Sequence, residues 1–307
     1  MEDTMEDQQW DGASLAEAEF PPIRWAVNGL VPEGITLLAG PPKSGKSWMA
    51  LDFAIGVATG TNAMGDVVCE PGDVYYAALE DTPRRMQTRQ LTALHGRETP
   101  ERVDYVFDMP NIDRGGLAQV EAWLQDHPDA RLVIIDVYGK IKGAGKGYEA
   151  DYALVDKFRQ LSKRYKSVAI VLVTHTVKKI NKNDPFASIV GGVGLTGAVD
   201  ASMVLLRQRG EQVGTLWLTG KDVEEAATPI ELREGRWEVC EPAPEPLSES
   251  RQAVLSAIGG GDLTPKSIAG ATGMAPNTVR QLLFKMSKDG QVERTAEGSY
   301  RACQTAA

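Results

Sequence analysis

A short segment near the amino terminus combines glycines, a lysine and a serine at the spacing needed to hold phosphate groups. It fits the pattern of a glycine, four residues of any type, then Gly-Lys-Ser. Glycines let main-chain N–H groups turn toward phosphates, Lys46 can reach the terminal phosphates, and the Ser47 hydroxyl can bind Mg²⁺. The residues predicted to bind ATP are Gly40, Pro41, Pro42, Lys43, Ser44, Gly45, Lys46, Ser47 and Trp48.

A second position suited to metal chemistry ends an apolar run. Residues 131–136 read Arg-Leu-Val-Ile-Ile-Asp, which predicts a buried strand that ends in a carboxylate. In nucleotide sites built on a phosphate loop, such an aspartate holds the metal, usually through water. We therefore predict Ser47 and Asp136 as the metal ligands, with Mg²⁺ as the ion.

Hydrolysis also needs a group that orients and activates water, and two adjacent acids qualify. Glu80 follows a predicted strand over 74–79, and we expect that strand to lie next to the one that precedes the phosphate loop. Asp81 is the competing candidate. Alternatively, either carboxylate caps the helix that Thr82-Pro83 can start.

The elements around these residues alternate between short apolar strands and helical stretches. This pattern predicts an α/β fold, a mostly parallel twisted sheet with helices on both faces. Helical periodicity over 46–59 aligns Met49, Phe53 and Val57, and over 151–165 it aligns Leu154 and Phe158. The predicted strands are 35–39, 74–79, 132–135, 168–174, 203–206 and 215–218.

Composition divides the chain into four parts. Residues 1–20 are acidic and contain no Lys or Arg, which predicts a mobile tail before the α/β domain at 21–240. A proline-rich linker is predicted at 241–247. Residues 248–307 read as helices over 248–258, 265–271 and 276–288 followed by a hairpin, and they resemble a small winged helix-turn-helix domain. In that domain Arg280, Gln281 and Lys285 would face duplex DNA, and protein docking is the alternative.

Length, charge and cysteine content indicate the cellular location and the kinds of site that the chain is expected to have. The chain has 307 residues, a net charge of −9 and no apolar stretch of the ~20 residues that a membrane helix needs. Because the acidic amino terminus is unlike a secretory leader, we expect a cytoplasmic protein without membrane contact. Three widely spaced cysteines favour neither a disulfide framework nor a zinc site.

Taken together, these residues resemble the RecA superfamily of ATPases, and more narrowly the RepA-like branch of hexameric replicative helicases of plasmids and phages. The resemblance covers about residues 25–239 and implies a RecA-like core. It also implies that Glu80 is the catalytic base and that His175 senses the terminal phosphate. The matching segments are 28–34, the phosphate loop, 79–81 with 83–85, the Asp136 strand, 174–176, and the glycines of 191–194 before Asp200.

The same resemblance implies a homo-oligomer, a hexameric ring, in which a basic finger from a neighbouring subunit completes each site. Relatives often carry Lys-x-Arg on a late strand, whereas residues 221–223 here read Lys-Asp-Val and lack the arginine. Positive charge in trans would then come from Lys221, or from Arg207 or Arg209. The alternative for the two arginines is a solvated turn.

Two lysine-bearing segments follow core strands. In RecA-like rings, loops at these positions line the channel that grips single-stranded DNA through phosphate contacts. A solvated charged face is the alternative. The aromatic residues available to stack on bases are Tyr138, Tyr148 and Phe186. The lysines are Lys140, Lys142 and Lys146 after Asp136, and Lys178, Lys179 and Lys182 after His175.

The sequence thus predicts an ATP-dependent, ring-forming motor on single-stranded DNA, a helicase acting in replication or recombination. Two rivals remain. One is an ATP-regulated loader or regulator whose C-terminal domain binds a specific duplex site. The other is a RecA-like recombination mediator that does not separate strands.

Replacing Lys46 by alanine should abolish nucleotide binding or turnover under all three hypotheses, because the ammonium group that neutralises the terminal phosphates is lost. Titration with a fluorescent ATP analogue and a steady-state ATPase assay check this. Lys266→Ala, in the C-terminal domain, is the control. If Lys46→Ala bound nucleotide with unchanged affinity, the prediction that residues 40–47 bind the phosphates would be wrong.

Overall fold

The structure is a computed structural model that describes residues 10–143, 148–165, 168–178, 180–181, 183–241, 248–259, 261–295 and 297–303. The chain divides into two compact units, Met1–Pro242 and Ala243–Ala307. Several predicted features lie outside the described residues, namely Lys146, Lys179, Lys182, most of the linker and the first nine residues.

The first unit is built on one large sheet. Within the described residues this sheet has nine strands in the order β11-β10-β9-β8-β3-β7-β6-β4-β5. Neighbouring strands from β8 to β5 run parallel, whereas β8 to β11 are antiparallel. The strands are β1 Trp25–Val27, β2 Val31–Pro32, β3 Gly34–Ala39, β4 Asp73–Ala78, β5 Val103–Val106, β6 Ala130–Asp136, β7 Ala169–Val173, β8 Ala201–Leu206, β9 Val213–Gly220, β10 Ala226–Arg233 and β11 Arg236–Val239.

Helices cover both faces of the sheet, so alternate side chains of the parallel strands enter two separate cores. One core holds Leu38 and Ile134 against Phe53 of α2, and the other holds Leu37 and Val133 against Phe158 of α6. No helix in the described part of the chain is long and apolar enough to cross a bilayer. The helices are α1 Gly12–Glu17, α2 Lys46–Thr59, α3 Pro83–Leu94, α4 Gly116–Asp126, α5 Tyr138–Ile141, α6 Tyr148–Arg164 and α7 Gly192–Ala198.

This architecture confirms the predicted fold class, a mostly parallel sheet covered by helices in the manner of a RecA-like P-loop core. All six predicted strands are present, with bounds that differ by up to two residues at each end. Strands β1, β2, β5, β10 and β11 were not predicted. Residues 12–17, placed in a mobile tail by composition, form the short helix α1, whose start is capped by the Asp11 side chain.

One expectation about strand order is wrong. The strand that precedes Glu80, β4, does not lie next to the phosphate-loop strand β3, because β7 and β6 separate them. Neighbour order in a parallel sheet is set by the crossover connections and not by any local pattern. Glu80 therefore approaches the loop from across two strands.

The second unit contains three helices and a two-stranded antiparallel hairpin in its described residues. Val254, Ile268, Val279 and Leu283 form its core. Ser248 and Thr264 cap the first two helices. Assignment of this unit to the winged-helix class stays a prediction. Its elements are α8 Glu249–Ile258, α9 Pro265–Thr272, α10 Pro276–Lys288, β12 Val292–Arg294 and β13 Tyr300–Ala302.

A buried carboxylate ties the phosphate-loop helix to the far edge of the sheet. Asp52 of α2 is fully buried, and its Oδ1 lies 3.2 Å from Arg97 Nη2 and 3.3 Å from Arg236 Nε. Its Oδ2 accepts a 2.8 Å hydrogen bond from Met64 N–H. Asp52 thus holds two guanidinium groups that would otherwise repel each other.

Replacing Asp52 by asparagine should destabilise the fold by about 3 kcal/mol, because a buried ion pair loses one partner and leaves two cations behind. The free energy of unfolding, measured by urea denaturation, checks this. Asp113→Asn, which removes an exposed pair with Lys157, should cost less than about 1 kcal/mol. Equal midpoints for Asp52→Asn and the natural chain would contradict the assignment.

Candidate nucleotide-binding site

A cavity of about 520 Å³ opens at the carboxyl ends of the parallel strands. Binding sites in open α/β sheets are found at this edge. The cavity brings together residues that are far apart in sequence and that end β3, β4, β6 and β7. Of the predicted site residues, it is lined by Pro42, Lys43, Gly45, Lys46, Ser47, Trp48, Glu80, Asp136, His175 and Arg207, and it adds Arg89 and Val137.

The loop between β3 and α2 has the backbone of an anion cradle. Lys43 and Gly45 have positive φ angles of 66° and 106°, which bend the main chain ahead of the helix. The fourteen-residue helix α2 begins at Lys46, so its amino end points at the cavity. Free N–H groups and the helix dipole at such an end favour a phosphate.

Lys46 is buried inside its own loop. Its ammonium group donates to the carbonyl oxygens of Gly40 and Pro41, both at 2.9 Å. Burial lowers the pKa of Lys46 to about 8, although the nearby charges of Asp136 and Glu80 oppose this. A triphosphate would add negative charge beside this ammonium group and favour its charged form.

Asp136 is placed beside Ser47 at the end of β6. Burial raises the pKa of Asp136, although hydrogen bonds from Ser47 and Tyr76 oppose the shift. The Tyr76 hydroxyl donates to Asp136 Oδ2 at 3.2 Å. Because burial raises the Tyr76 pKa well above its usual value, this hydroxyl stays a donor. The sequence analysis did not predict a role for Tyr76. Its contact with Asp136 arises because β4, which carries Tyr76, pairs with β6.

A hydroxyl and one carboxylate fit a magnesium site of the phosphate-loop kind. Among the described residues, no group of three His, Cys, Asp or Glu side chains could hold a metal by itself. Mg²⁺ in such sites keeps several waters and is bound through one or two protein ligands plus substrate phosphates. Ser47 and Asp136 meet that requirement.

The two candidate bases, Glu80 and Asp81, have different surroundings. Asp81 accepts from Arg85 Nε at 2.7 Å, from Arg89 Nη1 at 2.5 Å and from Thr82 N–H at 2.9 Å. Burial alone would raise the pKa of Asp81, but these donors hold it below its usual value. Glu80 is exposed and lines the cavity. Helix α3 is capped by neither acid, because its cap is Thr82.

His175 lies two residues after β7 and faces the same cavity. Its Nδ1 is buried and has no hydrogen-bond partner among the described residues. A buried polar atom without a partner is rare in folded proteins and is often satisfied by a ligand or water. Independently of that nitrogen, the His175 side chain lines the cavity and is placed near a ligand bound there.

Comparison with known proteins assigns the chain to a family. A family model described as an AAA domain matches residues 2–180, which is more than half of the chain. The chain belongs to this AAA domain family. Membership indicates a nucleotide-dependent P-loop ATPase, and domains of this kind typically use ATP and Mg²⁺. No curated protein matches the chain.

The basic residues expected to act on a neighbouring AAA domain lie in different places. Arg207 contacts its own loop, since Nε donates to Ser44 O at 2.9 Å and Nη2 donates to Lys43 O at 3.2 Å. Lys221 lies outside the cavity and pairs with Asp200 at 2.9 Å. Arg209 is exposed in the turn between β8 and β9. Which of them acts in trans stays a prediction.

The described lysines of the two predicted DNA loops also differ. Lys140 and Lys178 are exposed, whereas Lys142 forms an ion pair with the buried Asp151. Tyr138 is buried and its hydroxyl lies 3.4 Å from Asp151 Oδ1, so it does not fit the predicted base-stacking role. Phe186 is partly buried against the second core of the AAA domain.

Replacing Tyr76 by phenylalanine should weaken Mg²⁺-dependent nucleotide binding by about tenfold, because a residue that orients a metal ligand is lost while the ring stays. Titration of a fluorescent ATP analogue at graded Mg²⁺ concentrations checks this. Tyr75→Phe is the matched control, since that ring enters the other core. The same Mg²⁺ dependence in both variants would show that Tyr76 does not orient Asp136.

Proposed function

We propose that this AAA domain protein is an ATP-hydrolysing, ring-forming motor on single-stranded DNA, of the RepA-like helicase type. The observation that carries the proposal is the convergence of Lys46, Glu80, Asp136 and His175 on one cavity at the ends of four parallel strands. These four side chains have the chemistry that phosphoryl transfer to water requires.

Each residue has a separate task in hydrolysis. Lys46 and the N–H groups at the start of α2 bind the phosphates. Ser47 and Asp136 would hold Mg²⁺, which when bound would supply positive charge near the phosphates. Glu80 is free to orient water and take its proton, whereas Asp81 is occupied by two arginines. His175 would sense the terminal phosphate, because its side chain lines the same cavity.

The step from nucleotide to DNA rests on the loops that follow β6 and β7. Lys140 comes four residues after Asp136, and Lys178 comes three residues after His175. Thr176 N–H donates to Gly40 O at 3.2 Å, the same oxygen that accepts from Lys46. A shift of the phosphate loop would therefore pass to the segment that carries Lys178. Phosphate contacts by such lysines give affinity without sequence preference.

Completion of each site by a neighbouring subunit belongs to the same proposal. Because Arg207 donates to carbonyls of its own loop, Arg209 and Lys221 are the better candidates for a cation in trans. Arg209 is exposed, and Lys221 is more than half exposed despite its pair with Asp200. A hexameric ring would place such a residue at each interface.

The second unit favours a different function. Helix α10 exposes Arg280, Gln281 and Lys285, and it also exposes Phe284, whose relative accessibility is 69%. Polar and basic groups on one helix face suit a major groove, and an exposed aromatic ring suits a thymine methyl group. These four exposed side chains of α10 support the alternative of an ATP-regulated loader or regulator that binds one duplex sequence.

We expect ATP turnover to rise severalfold with single-stranded DNA and a forked duplex to be separated when ATP is present. The double variant Lys140→Ala with Lys178→Ala should reduce the slope of log affinity against log salt by about 1.4, since each single-strand phosphate contact contributes about 0.7. Fluorescence anisotropy with a labelled oligonucleotide measures that slope. Lys163→Ala, an exposed lysine on α6, is the control.

The other outcomes separate the rivals. Tight binding to one duplex sequence with unstimulated turnover would support the regulator and contradict the motor. Stimulation by single-stranded DNA without strand separation would support a recombination mediator. An unchanged salt slope in the double variant would remove Lys140 and Lys178 from the DNA contact.

A further inference from the structure

Two side chains from the late part of the first unit donate hydrogen bonds to carbonyl oxygens of the phosphate loop. They are Arg207, which follows β8, and Trp237 on β11. Both lie beyond residue 180, where the family match ends. Between them they donate hydrogen bonds to three successive carbonyl oxygens of the loop, those of Lys43, Ser44 and Gly45.

Trp237 forms the buried half of this contact. It is fully buried, and its indole N–H donates to Gly45 O at 3.1 Å. The ring also packs directly on Gly45. A Cβ atom at Gly45 would lie 2.6 Å from Cζ2 of Trp237, and the φ angle there is +106°. Glycine is therefore required at this position for a second reason besides phosphate approach.

Arg207 forms the partly exposed half. Its guanidinium carbon lies 5.6 Å from the centre of a Trp237 ring, a cation–π contact. Its Nε and Nη2 donate to Ser44 O and Lys43 O, and Nη1 donates to Glu211 O at 2.7 Å. All three nitrogens thus donate to main-chain oxygens, and these hydrogen bonds fix the plane of the guanidinium group.

The consequence for the loop follows from peptide geometry. In a planar trans peptide the C=O and the next N–H point in opposite directions. Arg207 holds Ser44 O, and Trp237 holds Gly45 O together with the Trp48 and Met49 N–H groups of α2. The N–H groups of Gly45 and Lys46 therefore point the opposite way, at the amino end of α2. The Ser44 N–H is not available to a phosphate in this way, because it donates to Pro41 O within the loop.

We infer that Trp237 and Arg207 are positioning residues for phosphate binding, a brace that orients the loop amides before the nucleotide arrives. Donors that are already oriented lose no free energy to rearrangement when charge reaches them. This inference rests on the proposed nucleotide site but not on the DNA motor. It assigns Arg207 a task within its own subunit.

The test compares ligands that differ by one phosphate. ADP and AMP share every group except the β-phosphate, so the ratio of their affinities reports on phosphate binding and not on general damage to the cavity. Competition against a fluorescent ADP analogue gives both dissociation constants. Thermal unfolding of each variant without nucleotide records its stability separately.

Trp237→Phe keeps an aromatic ring and removes the N–H donor. The preference for ADP over AMP should fall by about fivefold, the value of one hydrogen bond of about 1 kcal/mol. Arg207→Gln should reduce it by about tenfold or more, because charge-assisted hydrogen bonds are stronger. Arg207→Lys keeps the charge without the planar fork and should give little rescue. The controls are Trp217→Phe, in the other core, and Arg233→Gln, an exposed arginine paired with Glu231.

Three results would overturn the inference. The first is a natural ADP-to-AMP ratio in both Trp237→Phe and Arg207→Gln. The second is an equal loss of ADP and AMP affinity, which would show a structural role only. The third is full rescue by Arg207→Lys, which would reduce Arg207 to a charge. Should Trp237→Phe fail to fold, the two Arg207 variants decide. If the natural chain binds no ADP, the proposed nucleotide site itself fails.

Discussion

The nucleotide site depends on one constraint: each loop N–H that faces a phosphate requires its partner carbonyl to face away and still find a donor. Distant parts of the chain meet that requirement. Gly40 O accepts from Thr176 N–H and Lys46, and Pro41 O accepts from Lys46 and Ser44 N–H. The oxygens of Lys43 and Ser44 accept from Arg207, and Gly45 O accepts from Trp237 and from two N–H groups of α2. The loop is therefore shaped by the whole sheet, although its own sequence carries the recognisable pattern.

The residues that line the nucleotide site and the strands that hold the phosphate loop in place come from different parts of the chain. The part that matches the AAA domain family carries Lys46, Glu80, Asp136 and His175, and these lie at or just after the carboxyl ends of strands that run parallel. The antiparallel strands β9 to β11 follow that match and include Trp237. Through Arg236 they also reach Asp52 on the phosphate-loop helix. Extension of the sheet beyond β8 thus holds the loop and its helix in place.

Local patterns were enough to predict the loop, the end of β6 at Asp136 and the start of α3 at Thr82-Pro83, although the capping side chain is Thr82 and not one of the two acids. Features that depend on long-range packing were not predictable. Strand β10 has a mixed burial pattern and contains Pro229, so neither alternation nor an apolar run identified it. The contact between Trp237 and Gly45 joins residues 192 positions apart. The ion pairs that occupy Asp81 were not predictable either, because one of its partners, Arg89, lies one helical turn beyond Arg85. The expectation that β4 lies next to β3 was wrong because the order of strands in a sheet is likewise not encoded locally.

Gly40 O links the phosphate site to the lysine-bearing loop after β7. Lys46 and Thr176 N–H both donate to this oxygen. A phosphate that drew the ammonium group away would leave Thr176 as the main donor, so the segment after β7 would respond to the loop through its backbone. The residues that would grip DNA by charge, such as Lys178, are not part of that link. In the proposed motor, grip on DNA and coupling to the phosphate loop would therefore be carried by different groups, and a change in one need not alter the other.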